Sequence, residues 1–568
     1  MSRTGSSSWF CIKCVLAHFI VFSCFAVVGQ SEQRGGRLVV SETSEPKHFN
    51  PVTAVDWATK TVVGLLMADL LHIDREDQKV YPNLASDWGV SEDGRTYTLT
   101  LREGVRFSDG HPVDVDDVLF SLRVNLDEAI NSPQRGLLIV GGEPIRARKL
   151  GARRIVFELA EPYAAGERLF DSFYILPRHR LEASYESGEL ASAWGLLSDP
   201  EQIVGLGPFR LEQVVPGERI VLERNPYYWK VDEAGEALPH LDEVVILLTS
   251  SEDAELLRFK AGEIHMIQDL GFRDFDALDA ESSFGMRDLG PGLEHNFLFF
   301  NLNDRAGGED EALDTRQSWF RNDAFRRAVS DAIDRHSMVR LVYGGRAAPL
   351  ASHVTPGNKF WINRSLVVAP HSEALAKESF RDAGFRWNEA ERLVDAEGRL
   401  VEFSILTSAG NRPRSMMASL IQEDLKRVGI EVTIATLEFR AYIDRIFQGR
   451  DFDTALLGLG GSDADPNPEM SFLLSDGGMH VWRLAGATTL PWQVEIDRLM
   501  HEQTATTDIV RRKELYGRVQ QILFDYRPFI SLVSPHILVG ARAKLGNFRP
   551  GILPPYTLWN AEELFWTR

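Results

Sequence analysis

Cysteine is nearly missing. The 568-residue chain has three, Cys11, Cys14 and Cys24, and none after position 24. The body of the protein therefore forms no disulfides, and its stability must come from packing. Thiol nucleophiles and thiolate metal sites are excluded there as well. Positive charge is also scarce: 62 Lys and Arg face 82 Asp and Glu, for a formal charge of −20. Such a balance argues against nucleic acid and anionic membrane surfaces as partners. No apolar run reaches the ~20 residues of a membrane span. The 14 histidines include no His-Glu-x-x-His and no pair at helical ligand spacing, and there is neither a Gly-x-Ser-x-Gly elbow nor a kinase signature set. No internal repeat or low-complexity segment is present.

What is present begins with a leader. Arg3 and Lys13 precede an apolar run from Val15 to Val28, interrupted by His18 and Ser23. Val27-Val28-Gly29 before Gln30 fits a small-residue cleavage site, so the run reads as an export signal over 1–29 rather than an anchor. Val21-Phe22-Ser23-Cys24 loosely resembles a lipoprotein processing site, which makes a lipid anchor at Cys24 the minor alternative. The remaining length calls for two or three domains. Apolar and charged contents of 44% and 25% are those of a soluble globular chain.

Periodicity supplies the elements. Leu38–Val40, Tyr97–Leu101 and Ile155–Leu159 read as strands, and Thr61–Leu71 as a helix. Asp116 and Asp117 sit where a helix opens. Asn322-Asp323 caps a helix with an apolar stripe of Phe325, Ala328, Val329, Ala332 and Ile333. The strand 401–406, the helix 415–428 and the strand 430–434 make a βαβ unit, hence an α/β domain. Two short strands, 529–533 and 537–539, follow late in the chain. The polar, acidic stretch Asp304–Ser318 reads as a solvated loop.

One stretch, GLGGSDADPNPE from Gly458 to Glu469, invites chemistry. As a phosphate loop it lacks the lysine that must follow the glycines, and its aspartates would repel the anion. As a calcium loop it has Asp463, Asp465 and Asn467 at the 1-3-5 spacing, but Pro468 and Leu474 stand where glycine and glutamate are needed. The plain structural reading is an Asp-Pro turn. The aromatics are mostly core, and Tyr227-Tyr228-Trp229 reads as cover for a domain edge. The residues by themselves lead to an exported, multidomain, α/β-rich binding protein or enzyme.

Four segments carry more. They are Tyr81-Pro82-Asn83-Leu84-Ala85 with Trp88, Ser91–Gly94 and Tyr97; Leu101–Val113 with Asp116-Asp117-Val118; Gly205–Phe209 with Leu222–Trp229; and Asn301-Leu302-Asn303 with Phe325–Ala328, Ala332–Arg335 and Val342–Gly345. In this order and at these distances the chain resembles the extracytoplasmic solute-binding proteins of family 5. That family includes the oligopeptide-, dipeptide- and nickel-binding proteins of ABC importers. The resemblance runs from about Arg37 onward.

It implies an α/β, two-lobed periplasmic binding protein fold of class II, a three-domain cluster with a hinge between the lobes. Lobe I would comprise 37–75, 205–295 and 530–568, with an inserted subdomain over 76–204; lobe II would comprise 296–529. The implied function is a periplasmic substrate-binding subunit of an ABC importer. It would capture a small solute, with a short peptide favoured, by hinge closure and deliver it to permease subunits in the inner membrane, as a monomer without cofactor, metal or catalytic residue. A non-peptide solute such as an oligosaccharide, an orphan extracellular sensor and, last, a secreted hydrolase are the alternatives. The ligand-facing loops would be Val55-Asp56-Trp57 on one lobe and Leu459, Gly460, Gly461, Ser462, Asp463 and Asp465 on the other. In the family's peptide binders an aspartate three residues before an acidic-Pro pair holds the peptide's α-ammonium, with a tryptophan three residues earlier still. Taking Asp465-Pro466 as the pair, those positions hold Ser462 and Leu459 here, and Asp463 is the neighbouring substitute.

Overall fold

The computed structural model describes residues 32–171, 173–303, 311–368, 370–461, 463–483 and 490–568. The expected leader over 1–29 with the three cysteines, and Ser462, lie outside the described residues. No helix among them is long and apolar enough to cross a membrane.

Three sheets organise the chain. The first is four-stranded, ordered 209–215, 219–224, 243–248 and 37–42, with Glu243–Leu248 parallel to Arg37–Glu42. Leu38, Val244 and Ile246 are fully buried in its core beside Leu222. The second is a four-stranded antiparallel sheet, ordered 85–90, 96–101, 154–158 and 146–149. In Thr96–Leu101 the residues Tyr97, Leu99 and Leu101 point inward, the alternation of a half-buried strand. Helix Val115–Leu126 covers this sheet. Asp114 rather than Asp116 caps it: its carboxylate accepts from the Asp116 and Asp117 amides, and Asp117 returns a bond to the Asp114 amide at 3.0 Å.

The third sheet is the largest. Its central path is 266–267, 529–542, 295–300, 454–459, 402–408 and 431–437, and Phe284–Pro291 and Ala347–Pro349 also pair with 529–542. Phe297, Leu298, Phe299 and Phe300 are all fully buried, so this strand has apolar neighbours on both faces. The βαβ unit is present as Glu402–Ser408, Arg412–Arg427 and Glu431–Leu437, with the two strands parallel. Its helix starts earlier than the periodicity suggests, because Asn411 caps the Arg414 amide and Pro413 sits in the first turn.

Three expectations change. The first helix spans Trp57–Leu66, not Thr61–Leu71: Asp56 caps it, and Leu71–Ile73 is a strand. Part of the expected loop 304–318 is helix Glu311–Arg321, held by the buried Trp319 and Phe320 that follow the acidic stretch. The two late strands are one, Phe529–Arg542. Pro535 lacks a donor and so reads as a break, yet its carbonyl accepts from Gly292 and it pairs with Ala347.

That long strand positions everything else. Phe529–Val533 pairs with 295–300, and His536–Arg542 with 284–291. The chain therefore crosses between two bodies twice among the described residues, once inside this strand and once through Gly292-Leu293-Glu294. The carbonyl of Gly292 at the second crossing accepts from Thr355 Oγ1 at 2.6 Å and Ser534 Oγ at 3.2 Å.

Candidate functional site

A cavity of about 600 Å³ lies where the two bodies face each other. A volume of this size accommodates a solute of several rings or residues. Its walls carry aromatic faces, among them Trp57, Tyr163, Tyr228 and Trp559.

Of the residues expected to meet a ligand, Trp57, Gly460, Gly461, Asp463 and Asp465 line the cavity, whereas Val55, Asp56 and Leu459 do not. Val55 is exposed. Asp56 is occupied at its helix start, accepting from the Thr59 amide and hydroxyl at 2.9 Å each. Leu459 ends the strand Thr454–Leu459 and pairs with His295.

The two aspartates of the stretch do different work. Asp465 is buried and forms a two-pronged pair with Arg512, both contacts at 2.7 Å. Arg512 also donates to Asn467 at 2.8 Å and lies over the Trp361 ring at 4.8 Å. This carboxylate holds its own loop together.

Asp463 reaches across the cleft. Arg168, on the short 3-10 helix Gly166–Asp171 of the antiparallel-sheet body, donates from Nε to Asp463 Oδ2 at 2.6 Å and from Nη2 to Oδ1. Its Nη1 donates to the Gln78 carbonyl at 3.1 Å. Burial would lower the guanidinium pKa, but the Asp463 carboxylate holds it above its ordinary value. The two bodies also touch where the Ala164 amide donates to the Thr504 carbonyl at 2.8 Å. The cleft is thus closed on itself at this end.

Elsewhere the cavity draws on residues that no local pattern marked. Asp69, His72 and Asp171 bring three donor atoms within 4.8 Å of one another, as a metal site would. Those oxygens are engaged already. Asp69 accepts from the Asn83 amide at 2.6 Å, and Asp171 accepts from the Ile73 amide at 2.9 Å and pairs with Arg75 at 3.4 Å. A guanidinium this close opposes a dication, so the cluster reads as a hydrogen-bonded network. On another wall Lys230 pairs with the half-buried Glu562 at 3.0 Å, beside the Tyr228 hydroxyl. Burial raises the Glu562 carboxyl, but Lys230 pulls it below its ordinary value. Glu294 pairs with Arg414 at 3.4 Å.

Each of the six carboxylates lining the cavity therefore has a charged or hydrogen-bonding partner within the protein. Lys60 also lines it, and among the described residues makes no ion pair.

Asn83 and Tyr228 belong to the segments read as motifs, and the others do not. The Asn225–Trp229 segment does act as cover: Asn225 donates to the Gly207 carbonyl at 2.9 Å, and Tyr227 lies against Gly110. Gly110 has φ +87°, and a Cβ there would come within 3.1 Å of the Tyr227 ring. The next residue, Tyr228, turns into the cavity.

Comparison with known proteins agrees with this architecture. Residues 79–480 match the family model described as bacterial extracellular solute-binding proteins, family 5 middle. A probable ABC transporter-binding protein of Deinococcus radiodurans is 27% identical, over 88% of this chain and 87% of its own. A periplasmic alpha-galactoside-binding protein of Rhizobium meliloti is 26% identical, over 87% of this chain and 74% of its own. The solved structure of the oligopeptide-binding protein AppA of Bacillus subtilis with a nonapeptide superposes with a TM-score of 0.70 at 22% identity, covering 95% of this chain and 100% of that one. The fold is that two-lobed α/β arrangement.

Proposed function

The chain belongs to the bacterial extracellular solute-binding proteins of family 5, and from that premise we propose that it captures a small polar solute between its lobes and passes it to the permease of an ABC importer. The observation that carries this reading is the cavity lined from both bodies, at a junction the chain crosses twice. Two rigid bodies on such a junction close by hinge bending, and a solute touching both favours the closed form by its differential affinity for it. No covalent chemistry is invoked. Gly460, Gly461, Asp463 and Asp465 form one lip, and Trp57 forms part of the other. Export through the leader would place the protein outside the inner membrane.

For the solute, a short peptide is supported by relatives named for peptides, AppA among them. An oligosaccharide is supported by the site itself, whose carboxylates are already paired and whose walls offer aromatic faces for sugar rings. The test is mass spectrometry of whatever co-purifies, followed by calorimetry and small-angle scattering with the identified compound. A stoichiometric ligand that shrinks the radius of gyration is expected. A protein that retains no solute, and binds none from a broad metabolite and peptide panel, would remove the reading.

A further inference from the structure

We propose that Arg168 sets which solutes the cleft accepts: it occupies Asp463 from across the cleft, so that the closed site selects a neutral, hydroxyl-rich solute over one bearing a free ammonium. This rests on the solute-binding reading above.

Occupancy of the lip's carboxylate decides the selection. A carboxylate facing a cleft is the natural partner for a cationic ligand group, because an ammonium buried without a counter-charge is costly. In this cavity Asp463 stands on the lip with Gly460 and Gly461 and, unlike Asp465 with its Arg512 partner, makes no ion pair within its own body among the described residues. Both its oxygens are taken by the fork of one guanidinium. The pair is mostly buried, with side-chain exposures of 17% and 14%. Arg168 is tethered to the protein, so an incoming amine competes with a donor of high effective concentration. Displacing it would also cost the mostly buried guanidinium its ion pair and leave the Gln78 carbonyl as its hydrogen-bond acceptor.

The helix of Arg168 is held in place from both bodies. The Tyr97 hydroxyl donates to the Tyr163 carbonyl at 3.0 Å just before the helix, and Ala164 bonds to Thr504. The remaining lining carboxylates do not substitute for Asp463, since each is paired. What the walls do offer is donors and acceptors side by side in ion pairs, between aromatic faces. That combination suits hydroxyls, which donate and accept at once.

The experiment uses the full mature chain and three probes: a tri-alanine peptide with a free amine, the same peptide N-acetylated, and the neutral trisaccharide raffinose. Affinities are measured for wild type, Arg168→Met, Arg168→Lys and Arg168→Met/Asp463→Asn, with thermal unfolding to confirm that each folds. Wild type should show no preference for the free amine over the acetylated peptide, and should bind raffinose more tightly than either. Arg168→Met should tighten the free-amine peptide at least tenfold and leave the acetylated one unchanged. Arg168→Lys, which keeps the charge but not the fork, should fall between wild type and Arg168→Met, and the double variant should lose the gain. A wild type that already prefers the free amine tenfold, or an Arg168→Met that gains no affinity for it or gains equally for both peptides, overturns the proposal. Such results leave solute capture itself standing; that reading falls separately, if wild type binds nothing at all.

Discussion

Glu42 closes the strand Arg37–Glu42 at the edge of the cleft, near Trp57 and Thr61. Burial, with help from Glu255 and Asp269, pushes its carboxyl up to about 7 against the opposing Thr61 hydrogen bond. The sign follows from linkage. A folded pKa above the unfolded value means that the native state keeps a proton the unfolded chain releases, so the associated stability is full below about 4.5 and is lost as pH rises to 7. Wild type should therefore lose on the order of 3 kcal/mol through Glu42 between pH 4.5 and 7.5. Glu42→Gln, which cannot ionise, should flatten that part of the profile and be the more stable protein at pH 7.5. Urea titrations at several pH values measure it, and parallel profiles would refute the assignment.

At the scale of the element, capping decides where helices begin. Asp114 satisfies two amides of helix Val115–Leu126, and Asp117 answers it. Asp114→Ala should cost about 1 kcal/mol. Loss should appear as an earlier unfolding transition, while Asp116→Ala, which removes no cap, should change it little. Turns and caps of this kind are fixed by a few neighbouring residues, which is why the Asn322 cap and its helix were readable along the sequence. The βαβ unit was legible for the same reason. The cavity was not. Asp463 was found because it sits in a conspicuous stretch, but its partner Arg168 is 295 residues away and has no local signature. Asp69, Lys230 and Glu562 likewise meet only through tertiary structure. Asp56 was expected at the site from the family resemblance of its loop, and its carboxylate is spent on its own helix.

At the scale of the molecule, motion between the bodies depends on the two crossings. Gly357 packs directly on one of them: a Cβ at 357 would stand 2.3 Å from the Pro291 carbonyl oxygen and 2.8 Å from that of Gly292. Backbone atoms there have nowhere to go, so Gly357→Val should break the Thr355 contact to Gly292 and cost about 1–3 kcal/mol. It should also reduce the ligand-induced fall in radius of gyration seen by scattering. Unchanged melting and unchanged compaction would show that the crossing tolerates the methyls and that closure does not bear on it.

The long strand Phe529–Arg542 has a bearing on how the protein is made. Its two halves complete hydrogen-bond ladders in separate bodies, against 295–300 and against 284–291. Ribosomes deliver residue 291 long before residue 529, so strand 284–291 waits for this partner through more than two hundred residues of synthesis, and 295–300, which pairs with 454–459 on its other side, waits as long for its second. Contacts so distant along the chain form late. Neither half can lock prematurely, and on the export proposed for this chain that delay would keep it open for threading through a narrow translocation channel.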